Sequence, residues 1–208
     1  MTMSCPGFAL NSIAIFLKRP ENPLAMAKLR RARAYRALER PYTRVSKYKN
    51  KSFIRMNPPR KIMRYDMGDT SKEFTHTVDL VPKDSLQIRQ ESIEAARQTS
   101  VRLLEKKLSK NGFHFKIRKC AYHILREKSL ALGAGADRVS TGMQKPFGQP
   151  TGVAIQVKAG DRLFTVQVDK PALDVARMAL KRASKKMPCS VSIIVYENKP
   201  LVTATVTA

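Results

Sequence analysis

From Phe74 onward the spacing of apolar positions predicts regular elements. "FTHTVDLV", residues 74–81, reads as a strand. Asp84 with Gln87 three residues later has the spacing of a capping box and predicts a helix from there to about Lys110. Leu86, Ile93, Ala96, Val101, Leu104 and Leu108 fall near one stripe of it; Lys106, Lys107 and Lys110 suit its negative end, and Gly112 stops it. In "FHFKIRK" Phe113, Phe115 and Ile117 alternate with His114, Lys116 and Arg118, so one strand face is apolar and the other cationic. "AYHILRE" is the expected partner strand, "GVAIQVK" and "RLFTVQV" read as a hairpin closed around Ala159, Gly160 and Asp161, and "SVSIIVYE" is a last strand. Before it, Pro171 opens a second amphipathic helix that turns Leu173, Ala176, Leu180, Ala183 and Met187 inward. Strands and helices joined by hairpins rather than regular crossovers predict an α+β domain: a mixed, largely antiparallel sheet with two packed helices.

Before Phe74 the apolar period is lost and charge takes over. Residues 26–65 carry 14 Lys or Arg against one acid, Glu39, and "NPPRK" is a stiff extended break. Mutual repulsion should keep such an arm open. Its aromatics would have no purpose in a merely solvated tail, whereas arginines interleaved with tyrosines can pair with phosphates and stack on exposed bases. The candidate RNA-binding residues of the arm are Arg30, Arg31, Arg33, Tyr35, Arg36, Arg40, Tyr42, Arg44, Lys47, Tyr48, Lys49, Lys51, Arg55, Lys61 and Arg64, joined by His114, Lys116, Arg118 and His123 from the strands. The expected organisation is therefore an extension over residues 1–25 outside the fold, with the mature chain starting at Met26 or Ala27; a basic RNA-binding arm over 26–72; a globular α+β domain over 73–197 with a long loop at 131–151; and a tail over 198–208. Core positions are expected only after Phe74.

The whole chain repeats the message of the arm: 40 Lys and Arg oppose 16 Asp and Glu, giving +24 in 208 residues, so the expected partner is a polyanion. No apolar run approaches the roughly 18 residues of a membrane span, so no membrane partner is expected. Cys5, Cys120 and Cys189 are odd in number and scattered, which fits free thiols in a reducing, cytoplasmic setting. "FALNSIAIFL" lacks the preceding positive charge of a secretory leader.

Catalytic patterns are missing. "GAGADR" has Arg138 where a dinucleotide fingerprint needs its third glycine, and no Walker lysine precedes a Ser or Thr. His114, Cys120 and His123 match no common zinc spacing, and the dispersed carboxylates nominate no acid/base pair. No cofactor, metal, small-molecule substrate or reaction is expected. What stands out is "GAGADRVSTGMQKPFGQPTG", residues 133–152: a glycine-rich connection too long for an ordinary loop, whose small residues allow close backbone approach while Arg138, Gln144 and Lys145 suit phosphates or base edges and Met143 and Phe147 suit wedging or stacking. It reads as a probe that an RNA surface orders; a linker without function is the alternative.

Several of these stretches, in order, resemble the family of large-subunit ribosomal proteins called L-sixteen in bacteria and L-ten-e, or QM, in archaea and eukaryotes. "YKNKSFIRMNPPRKIMRYDMG" is similar to its arm, "SIEAAR" to its helix, "GFHFKIRKCAYHILR" to its strand pair and "AGADRVSTGMQKPFGQPTG" to its central loop, and the arm is of the archaeal type. The resemblance runs from about Met26 to Tyr196. It implies a hammerhead-like fold, a place on large-subunit ribosomal RNA on the side of the 5S RNA among neighbouring ribosomal proteins, and a loop that reaches toward the peptidyl transferase centre and the aminoacyl-site transfer RNA. The implied loop residues are Gly135, Ala136, Asp137, Arg138, Thr141, Gly142, Met143, Gln144, Lys145, Phe147 and Gly148. Gln144 departs from the basic residue usual there and Pro146 from a small one. Residues 1–25 and the tail "KPLVTATVTA" have no counterpart. The function expected is that of a structural RNA-positioning component of the large subunit, with a free RNA-binding regulator or assembly factor as the alternative.

Overall fold

The computed structural model describes residues 30–54, 56–128 and 148–198. Among them the strands are β1 (Asp66–Gly68), β2 (His76–Pro82), β3 (Leu86–Arg89), β4 (His114–Ile117), β5 (His123–Glu127), β6 (Gln149–Val157), β7 (Phe164–Val168) and β8 (Val191–Glu197), and the α-helices are α1 (Gln90–Leu108) and α2 (Leu173–Ser184). The strands form a five-stranded sheet, β1-β4-β7-β2-β8, and a three-stranded sheet, β3-β6-β5, with every pairing antiparallel. The α+β class expected from the sequence is the class observed.

Alternation explains the core. Phe115 and Ile117 on β4, Val166 and Val168 on β7, and Val78 and Leu80 on β2 meet Ile93, Ala96, Leu104, Ala176, Ala179 and Leu180 from the two helices. Phe115 and Phe164 pack with ring centroids 5.3 Å apart. The helices touch each other closely enough for the buried Ser100 hydroxyl to donate to the Ala179 carbonyl at 3.2 Å, small residues at the crossing allowing the approach.

Several local expectations are corrected. The first helix does not begin at Asp84: Leu86–Arg89 is a strand paired with β6, and the helix starts at Gln90 without a side-chain cap. Sheet burial of Leu86 and Ile88 outweighs a local capping signal worth about 1 kcal/mol. "FHFKIRK" and "AYHILRE" are not partners; β4 lies between β1 and β7, whereas β5 pairs with β6 in the other sheet. Nor do β6 and β7 form a hairpin. The turn at 158–161 exists, with Asp161 N–H donating to Lys158 O at 3.2 Å and Gly160 at φ +87°, but it passes the chain from the small sheet to the large one. A turn signal cannot distinguish the two outcomes.

Core positions also reach into the basic segment. Ile62 belongs to the main core, Ile54 is buried, Tyr35 packs on Leu125 and Ala154, and β1 adds Asp66–Gly68 to the edge of the large sheet. Apolar residues were too sparse there to show a period.

Candidate nucleic-acid interface

The arm is held by its backbone, which leaves its cations outside. One face of the small sheet, carrying Leu86, Ile88, Val153, Ile155 and Val157, joins the main core. Its other face receives residues 30–42. Gln87 N–H donates to Arg36 O (3.0 Å), Gln156 Nε2 to Glu39 O (2.7 Å), Arg89 Nη1 to Arg30 O (2.9 Å), and Tyr42 N–H to His123 Nδ1 (2.9 Å). Tyr35 fills the apolar gap among these polar groups; burial pushes its phenol up, and its oxygen accepts from Arg30 N–H. Farther on, the buried Gln90 at the start of α1 accepts from Lys61 N–H at 3.1 Å and donates to Pro59 O at 3.0 Å. Satisfying a buried amide at both ends fixes the "NPPRK" break against the fold.

Every described Lys and Arg between Arg30 and Arg64 is exposed: Arg31, Arg33, Arg36, Arg40, Arg44, Lys47, Lys49, Lys51, Lys61 and Arg64 among the predicted residues, and Arg60 besides. Arg30 reaches Glu127 at 3.4 Å and Lys61 reaches Glu91 at 3.1 Å. An aromatic ladder stiffens part of this surface. Arg126 lies 3.6 Å from the Tyr42 ring centroid, Tyr42 stacks on Phe53 at 6.2 Å, and Arg44 lies 4.7 Å from Phe53. Tyr48, under Lys51, and Phe53 stay largely exposed, so a ring face remains open to stacking.

Two predicted residues do not face outward. His123 and Tyr35 are both buried, and both position the arm. Arg55 and residues 135–147 lie outside the described residues, which takes in Gly135, Ala136, Asp137, Arg138, Thr141, Gly142, Met143, Gln144, Lys145 and Phe147. The outer face of the large sheet is polar rather than simply cationic. Lys116 pairs with Asp66 at 3.2 Å, His114 meets Gln167 at 3.0 Å, Arg118 donates to the Thr165 hydroxyl at 2.9 Å, and the fully buried Asp79 has Arg162 Nε 3.1 Å away, off the line of a hydrogen bond. A cross-strand acid balances Lys116, while Arg118 is held in place by a neutral hydroxyl and keeps its charge.

The loop is anchored beside the arm. Glu127 and Gln149 are ladder partners at the ends of β5 and β6, so the connection leaves and returns at one end of the small sheet, where Arg30 also reaches Glu127. At Gly148 a Cβ would come 3.0 Å from Glu127 N, so a side chain there would require the paired strand to shift by a few tenths of an ångström. Sequence reasoning missed Gln90 and Arg126. A glutamine three residues before Ile93 on a buried stripe was the available signal for the first; nothing local marked the second.

A basic, backbone-pinned arm with open ring faces fits a ribonucleoprotein, and comparison with known proteins gives the family. The model of ribosomal protein L16p/L10e matches residues 39–194. The chain belongs to the L16p/L10e family of ribosomal proteins. It is 38% identical over 170 residues to the large ribosomal subunit protein uL16 of Archaeoglobus fulgidus, covering 82% of this chain and 94% of that one. It is 37% identical over 174 residues to large ribosomal subunit protein uL16 of Methanococcus maripaludis, covering 84% and 98%. The L16p/L10e match begins at residue 39, inside the basic arm, so arm and globular part are matched together.

Proposed function

We propose that this L16p/L10e protein is a component of the large ribosomal subunit in the cytoplasm, without a reaction of its own, that binds ribosomal RNA through its arm and supports aminoacyl-site transfer RNA through the loop at 133–152. The observation that carries the reading is the arm itself. Its backbone makes the contacts to the small sheet and α1, while its exposed cations, of which only Arg30 and Lys61 meet a described acid, and the exposed rings of Tyr48 and Phe53 stay accessible to phosphates and bases. The relatives' name supports the large-subunit assignment. A place on the 5S RNA side and a loop directed to the peptidyl transferase centre follow from the family resemblance. The common end shared by the loop base and Arg30 gives them a mechanical rationale: phosphates that hold the arm also hold the strands from which the loop departs.

Gradient fractionation with mass spectrometry should place the protein at one copy per large subunit. A chain found free of subunits would favour a regulator or assembly factor. Replacing residues 140–147, which stop short of β6, with a few glycines should leave incorporation intact while slowing accommodation of transfer RNA; normal translation by such subunits would remove the loop's role.

A further inference from the structure

A second cationic surface lies away from the arm. Gln98, Thr99 and Arg102 of α1 and Arg182, Lys185 and Lys186 at the end of α2 line a groove of about 360 Å³. None of the four cations is in an ion pair with a described acid. Glu105, three residues beyond Arg102 on α1, makes no ion pair with it, and Glu94, four residues before Gln98, is already taken: Arg97 Nε donates to it at 2.8 Å and Gln98 Nε2 at 2.9 Å. Complementarity to the α2 dipole accounts for Lys185 and Lys186 at its C-terminal end, but not for Arg102 in the middle of α1, which faces the same groove. Four like charges around a concavity repel one another, so the arrangement is stabilised by an anion.

We propose that the groove between α1 and the end of α2 binds the phosphate backbone of ribosomal RNA as a contact separate from the arm. This rests on the proposed function above and adds the surface to it. Arg102 lies 12 residues beyond Gln90, where the arm is clamped, or about 18 Å along the helix axis at roughly 1.5 Å per residue. That exceeds a Debye length of about 8 Å at physiological salt, so the two surfaces engage phosphates independently. Arm and groove together grip the RNA at the start of α1 and again farther along it, and fix the protein's orientation as well as its position.

The test uses the full-length protein and protein-free large-subunit ribosomal RNA. Changing Arg102, Arg182, Lys185 and Lys186 each to Gln should lower the slope of log K against log salt by about 3, at roughly 0.7–0.9 per phosphate contact. A variant carrying only Lys185→Gln and Lys186→Gln, both beyond the end of α2, serves if the fourfold variant folds poorly, and should lower the slope by about half as much. An arm variant, Arg31→Gln with Arg33→Gln and Arg36→Gln, is measured beside it. An unchanged slope for folded groove variants, with a reduced slope for the arm variant, overturns the groove and leaves the proposed function standing; unchanged slopes for both overturn the two together. A photo-crosslinking residue in place of Gln98 should join to RNA in assembled subunits. Crosslinks to a neighbouring protein alone would assign the groove to an acidic protein segment and refute the proposal.

Discussion

The two sheets solve the same problem differently. The five-stranded sheet buries one face under α1 and α2, elements of its own globular part, and balances the other through cross-strand pairs such as Asp66 with Lys116 and His114 with Gln167. The three-stranded sheet shares one face with that core, but its second face is completed by the arm, through Tyr35 and five hydrogen bonds along residues 30–42. The large sheet should therefore need the basic segment only for its edge strand β1 and for Ile62, whereas the strands that carry the loop depend on residues 30–42. Coupling follows: whatever fixes the arm also stiffens β5 and β6.

Four measurements would break or sharpen the contrast. Phe164→Ala should cost about 3–5 kcal/mol and lower the urea midpoint of the whole molecule, because the ring is fully buried against Phe115 in the shared core. Tyr35→Ala should cost less, roughly 2–3 kcal/mol, and act locally. Amide exchange should quicken in β5 and β6 and stay slow in β7; equal acceleration in β7 would show the two sheets to be one cooperative unit. Gln156→Ala removes one hydrogen bond to the arm and should cost about 1 kcal/mol, read as faster exchange at residues 36–42 with an unchanged core.

The smallest effect belongs to the helical layer. Arg97, by hydrogen bonding first and by its charge besides, holds the Glu94 carboxyl below its ordinary value of 4.5. A depressed carboxylate stabilises the fold fully above its unfolded pKa and loses that contribution as the pH falls through the folded one. From about pH 5 downward, the native protein should lose stability more steeply than Glu94→Gln, by a few tenths of a kcal/mol as for other helical pairs at this spacing. Parallel acid profiles would show the pair to be energetically idle.

How much of this was legible before the fold is uneven for physical reasons. The second helix could be read directly because Ala176, Leu180 and Ala183 repeat with the helical period and its capping proline is local. Strands β4, β7 and β8 were visible as alternation, yet their partners were not. The segment 86–89 shows why boundaries fail: Leu86 and Ile88 fit either period, and only pairing with Val157 and Ile155 decides for the strand. In the candidate interface, charge and aromatic content marked the arm, while Gln90, Gln156 and Arg126 gained their roles from residues 29–117 positions away.

The sequence by itself determined the quantities that are sums or short periods: a charge of +24, the concentration of cations before Phe74, the amphipathic helices, and a glycine-rich connection between strand-forming runs. Tertiary structure alone decided which strands share a sheet, that the basic segment lies on the fold and contributes Tyr35, Ile54 and Ile62 to its interior, and which cations keep their charge for a partner. Charge and periodicity are additive along a chain. Pairing is a competition among distant segments for the same hydrogen bonds and the same apolar surface, and its outcome is fixed only when all of them are present together.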